Sequence, residues 1–226
     1  MVEKAVLFDV QETLIREAKE VSQYYSEAIR NAYGFSIDDI RLADYEGYTV
    51  QETLAAILAK QGLTRGEIYE KQELFLEELG YAHYNVAGHD RAVLVDGAQD
   101  ILNRLNKKND VVIGVATGQL ERILRNLFDR AGLNYGNYFK FGAYGNVSES
   151  MPKIIDAAIH RASEDYGIDR RHVSFVCGSG RSFTAAQSVG VNAVGIIADR
   201  DLGAGLNPGG ADHIVGSLKE CGRFII

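Results

Sequence analysis

The sequence predicts a doubly wound parallel α/β sheet, interrupted after its first strand by an all-helical domain. Three observations carry that prediction. Short runs rich in Val and Ile recur along the chain: AVLFDV, DVVIGVAT, YFKFGAYG, VSFVCGSG, AVGII and HIVG. They do not alternate apolar with polar residues, which is the pattern of strands covered on both faces. Helical patterns separate them, namely GAQDILNRLNKK, LERILRNLFDRAG, KIIDAAIHRASEDYG and FTAAQSVG. Strand–helix alternation builds a parallel sheet with right-handed crossovers. The rhythm breaks once, over residues 16–89, where helical periodicity runs without a strand. Residues 1–15 and 90–226 therefore read as the core, and 16–89 as the insert.

Element by element, the first strand ends in Asp9 and a polar cluster, VQET, before Leu14. The insert follows. AKEVSQYYSEAIRNAYG has helical periodicity with Gly34 as its stop. TVQETLAAILAKQG and TRGEIYEKQELFLEELG each open on Thr-x-x-Glu, a capping-box signature, and each ends at a glycine, Gly62 or Gly80. The insert thus reads as a four-helix-like cap. Eight of the 12 tyrosines precede residue 85 and make this cap amphipathic. Most of those rings are packing, with one or two available to line a pocket. After the chain returns, Asp9, Thr117 and the loop beyond Cys177 all fall at carboxyl ends of strands, where such sheets bind ligands.

Bulk properties narrow the function classes. A chain of 226 residues holds one large domain, or a medium core with a smaller insertion. Its 24 basic and 31 acidic residues leave a formal charge of −7, which argues against nucleic acid or an anionic membrane as general partners. A local basic pocket for a small anionic metabolite is compatible with that balance. No apolar stretch reaches the ~18 residues of a membrane span, and no secretory leader pattern opens the chain. Cys177 and Cys221 form no framework spacing, and Cys177 reads as a small buried hydrophobe. These features predict a reduced, cytoplasmic, soluble protein.

The segment VLFDVQETL resembles the first motif of the haloacid dehalogenase superfamily, whose phosphatases read apolar strand and then Asp-x-Asp-Gly-Thr-Leu. The resemblance covers most of the chain: a helical cap after that motif, DGAQDILNRL where the core resumes, VIGVATG near the second motif, GAYGNVSESMPKIIDAAIHRA in the region of the third, and VSFVCGSGRSFTAAQSVGV like the fourth. It places the chain near the phosphoglycolate-phosphatase-like branch with a Rossmann-like core. It implies that Asp9 attacks phosphorus to give an aspartyl-phosphate that water then hydrolyses. Thr117 would hold the transferring phosphoryl group, and Lys153 would offset its charge. Taken alone, Thr117 reads equally well as a helix cap and Lys153 as a solvated lysine. An alignment on the family's basic residue followed by Pro instead puts Met151 in the basic position.

The chain departs from the phosphatase pattern at the residues that do proton and metal work. The carboxylate two places after the nucleophile protonates the leaving group and activates water, which needs a titratable group. Gln11 stands there and can only orient a water or donate a hydrogen bond. Glu12 replaces a glycine next door, and the chain would have to change direction to bring it in. The fourth motif usually supplies carboxylates to Mg²⁺, yet GSGRSF has Ser179 and no acid. With Asp9 as the one evident acidic ligand, the expected Mg²⁺ site is badly weakened.

The metal-free 2-haloacid dehalogenases share the GSGRSF spacing without gaps, but Ser179 stands for their Asn and Ser182 for their water-activating Asp. Gly118 also replaces their second-motif asparagine. Gly118, Ser179 and Arg181 remain candidates for ligand binding, with the GSG turn at 178–180 readable as an anion nest or as a plain tight turn. His83, His89, His160, His172 and His213 lack metal-ligand spacing. DLGAGLNPGG reads as a rim of the site or as a long connection. Three readings stay open: a hydrolase acting through Asp9 on a small phosphorylated metabolite, a non-catalytic binder of a metabolite or partner, and a metal-independent dehalogenase-like enzyme.

Overall fold

A computed structural model of the chain describes residues 2–16, 22–86, 92–197 and 212–225. Six parallel strands form its main sheet in the order β5-β4-β1-β6-β7-β8. They are β1 (Lys4–Phe8), β4 (Val111–Ala116), β5 (Phe141–Ala143), β6 (Val173–Cys177), β7 (Asn192–Ile196) and β8 (His213–Val215). β1 lies centrally, with Phe8 paired to Val115 on one side and Val176 on the other. Its side chains alternate between two apolar clusters, as a strand's must. Val6 and Phe8 pack among Ile101, Leu102, Leu124 and Leu127, whereas Ala5 and Leu7 pack among Ile154, Ile155, Phe175 and Phe183. Helices α5 (Ala98–Asn106) and α6 (Glu121–Arg130) cover the first face; α8 (Met151–Tyr166) and α9 (Gly180–Ser188) cover the second. The short helices α7 (Tyr135–Tyr138) and α10 (Leu218–Cys221) complete the core. The doubly wound sheet expected from the sequence is the observed fold.

Between Arg16 and Val93 lie α1 (Ser22–Tyr33), α2 (Val50–Lys60), α3 (Arg65–Glu70) and α4 (Gln72–Val86), with a 3-10 turn at Leu42–Tyr45. Both Thr-x-x-Glu signatures form complete capping boxes, Thr49 with Glu52 and Thr64 with Glu67. Two features depart from expectation. Gly80 does not stop a helix, because α3 ends at Glu70 and α4 runs through Gly80. A Cβ there would lie 2.2 Å from Arg122 Cδ, so the Arg122 side chain of α6 lies across the glycine. The insert is also rooted in a two-stranded stem that the periodicity does not reveal, β2 (Ile15–Arg16) antiparallel to β3 (Val93–Leu94). His89 and the DLGAGLNPGG stretch lie outside the described residues, within which no helix is long and apolar enough to cross a membrane.

The apolar side chains of the insert do not form a separate core. Tyr24, Ile29, Leu54, Leu58, Phe75 and Leu79 join the cluster that contains Phe8 and Leu124. Each such fully buried side chain contributes roughly 1.5–3 kcal/mol of hydrophobic stabilisation, divided between packing within the insert and packing against the core. Thr49 adds a polar tie, because its hydroxyl donates to Glu149 O (2.9 Å) as well as accepting from Glu52 N. Thr49→Ala is expected to cost about 1–2 kcal/mol, the loss of a cap plus a tie. Thermal unfolding should show this as a fall of about 2–8 °C.

Candidate functional site

Asp9 leaves the tip of β1 with its amide still in the ladder, donating to Val176 O (2.9 Å). The central position of β1 brings that carboxylate between the ends of β4 and β6. Oδ1 accepts from Val10 N (2.8 Å) and from the Thr117 hydroxyl (2.9 Å), and Oδ2 accepts from the Ser182 hydroxyl (2.7 Å). Asp9 is only 8% exposed, and Thr117 and Ser182 are buried beside it. Burial pushes the Asp9 carboxyl above its ordinary range, against the opposing pull of its hydrogen bonds to Ser182, Thr117 and Val10.

Two turns hold this cluster in place. Thr13 Oγ1 accepts from Gly178 N (2.7 Å), tying the loop after β1 to the loop after β6. A Cβ on Gly178 would fall 2.4 Å from Glu12 O, so only glycine permits this approach. Glu12 itself adopts a left-handed backbone, φ +60°, and its carboxylate faces Arg16 at 3.5 Å. Ser179 caps α9, its hydroxyl accepting from Ser182 N (3.2 Å), and so aims the first turn of α9 at Asp9.

The other sequence candidates are dispersed. Gln11 is half-buried beside Asp9 in the chain, bridged to Ile15 through its backbone, and is not among the partners of the carboxylate. Gly118 lies under the insert: Val50 N donates to Gly118 O (2.9 Å), and a Cβ on Gly118 would meet Thr49 Cα at 2.7 Å. Arg181 turns away from Asp9 to pair with Glu52 of α2 (2.9 Å), its guanidinium 4.0 Å from the centre of the Tyr48 ring. Lys153 is exposed on the first turn of α8 and is not hydrogen-bonded to Asp9, while Met151 is buried in the core. Cys177 and Cys221 are free and buried, and burial raises both thiols, that of Cys221 to about 12.

Ser182 and Thr13 are the site residues that sequence reasoning undervalued. The gapless dehalogenase spacing does put Ser182 at the acid's position, and the first-motif threonine is Thr13. Both signals were present, but a missing acid reads as an empty place rather than as a hydroxyl bonded to Asp9.

The donor set does not fit the Mg²⁺ that the family implies. A hard dication takes oxygen ligands and is usually anchored by one or two carboxylates besides phosphate. Among the described residues Asp9 supplies the one carboxylate of the cluster, with Ser182 already donating to Oδ2 and Thr117 to Oδ1. Among the described residues no group of three or more His, Cys, Asp or Glu side chains gathers to hold an ion.

A parallel α/β sheet carrying a carboxylate at the tip of its central strand, with a helical insert just beyond it, fits the hydrolase class that the sequence resemblance implies. The chain belongs to the haloacid dehalogenase-like hydrolases, whose family model matches residues 3–176. No curated protein sequence matches it. Similar solved structures include CbbY from Rhodobacter sphaeroides in complex with phosphate, 21% identical over 98% of this chain and 97% of that one, with a TM-score of 0.69. A predicted phosphoglycolate phosphatase from Haemophilus somnus is 16% identical over 98% and 97% of the two chains, with a TM-score of 0.65. The magnesium-bound HAD-hydrolase YfnB from Bacillus subtilis is 16% identical over 100% and 99%, with a TM-score of 0.54. At these identities the likeness concerns the fold.

Proposed function

We propose that this haloacid dehalogenase-like protein binds a small anionic metabolite at the carboxyl edge of its sheet and does not run metal-dependent aspartyl-phosphate chemistry on it. The observation that carries this reading is the state of Asp9, both of whose oxygens are engaged by buried donors of the protein itself. A nucleophilic carboxylate needs a lone pair directed at phosphorus, a cation to offset charge, and an acid–base partner for the leaving group and water. Val10 N and Thr117 fill the lone pairs of Oδ1 and Ser182 takes one of those on Oδ2, Gln11 cannot titrate, and Ser179 and Ser182 stand where acids would be. Ligand contacts would come from Ser179 and Arg181, beside the strand ends that doubly wound sheets use for binding, since Gly118 is covered by the insert.

A second reading keeps hydrolysis of a small phosphorylated metabolite at Asp9. The 2.9 Å bond between Thr117 and Asp9 favours it, since this is the nucleophile and phosphoryl-holding pair of the family resemblance. The metal-free dehalogenase reading gains the spacing of Ser182 but lacks a base to activate water.

The test compares the chain with Asp9→Asn on a panel of phosphate esters that includes phosphoglycolate, with Mg²⁺, Mn²⁺, Co²⁺ or EDTA. A 2-haloacid is assayed for halide release in EDTA. Turnover is expected to be equal in the two proteins and at background. Binding is expected to raise the melting temperature of the wild type as metabolite is added, following RT ln(1 + [L]/Kd). Turnover present in the wild type and lost in Asp9→Asn would overturn the binding reading in favour of hydrolysis.

A further inference from the structure

We infer that Glu52 acts as an internal anion: it occupies Arg181 and latches the insert over the site, and a ligand's phosphate or carboxylate group binds by displacing it. This rests on the proposed binding function, whose receptor it identifies. The insert reaches the site through the loop that leads into α2. Gly47 in that loop, at φ +74°, lies so close to the motif-like turn that a Cβ would sit 3.0 Å from both Ser179 Oγ and Arg181 Cβ. Tyr48 lays its ring against the Arg181 guanidinium. Thr49 and Val50 follow, bonded to Glu149 O and Gly118 O of the core.

Glu52 is placed with both oxygens in use. Oε2 accepts from Thr49 N (2.9 Å) in the capping box, which fixes the carboxylate, and Oε1 meets Arg181 (2.9 Å). Arg181 is one residue from Ser182, which holds Asp9. Arg181, adjacent in the chain to Ser182, is therefore satisfied by a carboxylate of the insert. A guanidinium binds carboxylate and phosphate through the same donor fork, so an incoming anion and Glu52 compete for one receptor. The pair is only partly screened from water, with side chains 49% and 27% exposed, so it can exchange. Once the pair opens, the bonds of Thr49, Val50 and Gln51 to the core remain.

The experiment uses the full chain with inorganic phosphate as probe. Glu52→Gln keeps an amide oxygen for Thr49 N and removes the charge that faces Arg181. It is expected to bind phosphate about two- to fivefold more tightly than the wild type by calorimetry, the scale of a partly exposed ion pair. Amide exchange over residues 46–50 should quicken, and Arg181→Gln should abolish binding. Equal affinities in wild type and Glu52→Gln overturn the latch while leaving the binding reading intact. Phosphate bound undiminished by Arg181→Gln overturns Arg181 as receptor. If neither wild type nor Glu52→Gln binds phosphate, the displacement inference falls, while the binding reading is decided separately by the melting series with metabolites. Unchanged exchange in Glu52→Gln then shows that no latch exists, whereas quickened exchange shows a clasp of the insert without a ligand role.

Discussion

Asp9→Ala is expected to lose about 3 kcal/mol of stability, a fall in melting temperature of roughly 6–12 °C, whereas Asp9→Asn gains stability at neutral pH. Alanine strands three donors, Val10 N and the hydroxyls of Thr117 and Ser182, in a place from which water is largely excluded. A buried donor left without an acceptor costs about 1–3 kcal/mol, and some of the total is recovered if water fills the gap. Asparagine keeps an oxygen for Val10 N and Thr117 and offers its amide to Ser182, whose hydroxyl can turn to accept. It also removes a carboxylate that burial disfavours in its charged form.

The sign of the pH dependence follows from that burial. Folding raises the Asp9 carboxyl above its ordinary value of 3.8, so the folded chain holds this proton more tightly than the unfolded chain. The stabilising contribution is complete below 3.8 and is lost as pH rises through the folded value. The advantage of Asp9→Asn over the wild type should therefore widen as pH rises across that window. Melting curves of both proteins from pH 4 to pH 8 check this. A gap that stays constant or narrows with pH would mean that Asp9 is not a buried, disfavoured anion.

How much of this was legible in the sequence depends on whether the deciding contact is local. The capping boxes at Thr49 and Thr64 join residues three apart, and the spacing alone reveals them. The parallel strands are betrayed by runs that can be buried on both faces, as all six residues of Val111–Ala116 are. At Gly80 a helix stop and a site crossed by a neighbouring side chain both suit a residue without a side chain. The neighbour that decides between them, Arg122, is remote in sequence. The two-residue stem of β2 and β3 is too short to show any period, and its pairing depends on where the insert closes.

Within the site, Asp9 and Thr117 were readable because strand ends are where parallel sheets gather their ligand groups. The sequence offers Arg181 as a candidate for ligand binding, but its partner Glu52, 129 residues away, is not readable from it. Only the folded chain shows that the cation already has an anion. The same holds for Ser182, whose hydroxyl meets Asp9 across 173 residues.

Gly145→Ala and Gly118→Ala should each act as a wedge that lifts the start of α2 from the sheet edge. A Cβ on Gly145 would lie 2.0 Å from Gly118 O and 2.8 Å from Val50 Cγ1; one on Gly118 would lie 2.7 Å from Thr49 Cα. The obstacles are mostly backbone, which cannot rotate aside as a side-chain end can. Relief requires the turn after β4, the turn after β5 or the insert to move. The polar ties that hold the insert at this edge are side-chain or single backbone bonds: Val50 N to Gly118 O, Gln51 Nε2 to Gly145 O, Thr49 Oγ1 to Glu149 O, the Arg181–Glu52 pair, and the bonds of Arg65 and Tyr69 to Glu149. The two turns are instead anchored by the parallel ladder, so the insert yields first.

Overpacking of this kind costs about 1–3 kcal/mol, and the broken ties add to it, so a fall of roughly 5–12 °C in melting temperature is expected for each variant. Amide exchange should quicken over residues 49–53 while the strands beneath keep their protection. Gly66→Ala is the control. It sits on α3 with nothing within 4 Å of its added Cβ, and should leave stability unchanged or raised by about 0.4–1 kcal/mol. Should Gly118→Ala and Gly145→Ala melt with the wild type and exchange at its rate, the insert is not seated on these two turns, and the closed arrangement over Asp9 loses its mechanical basis.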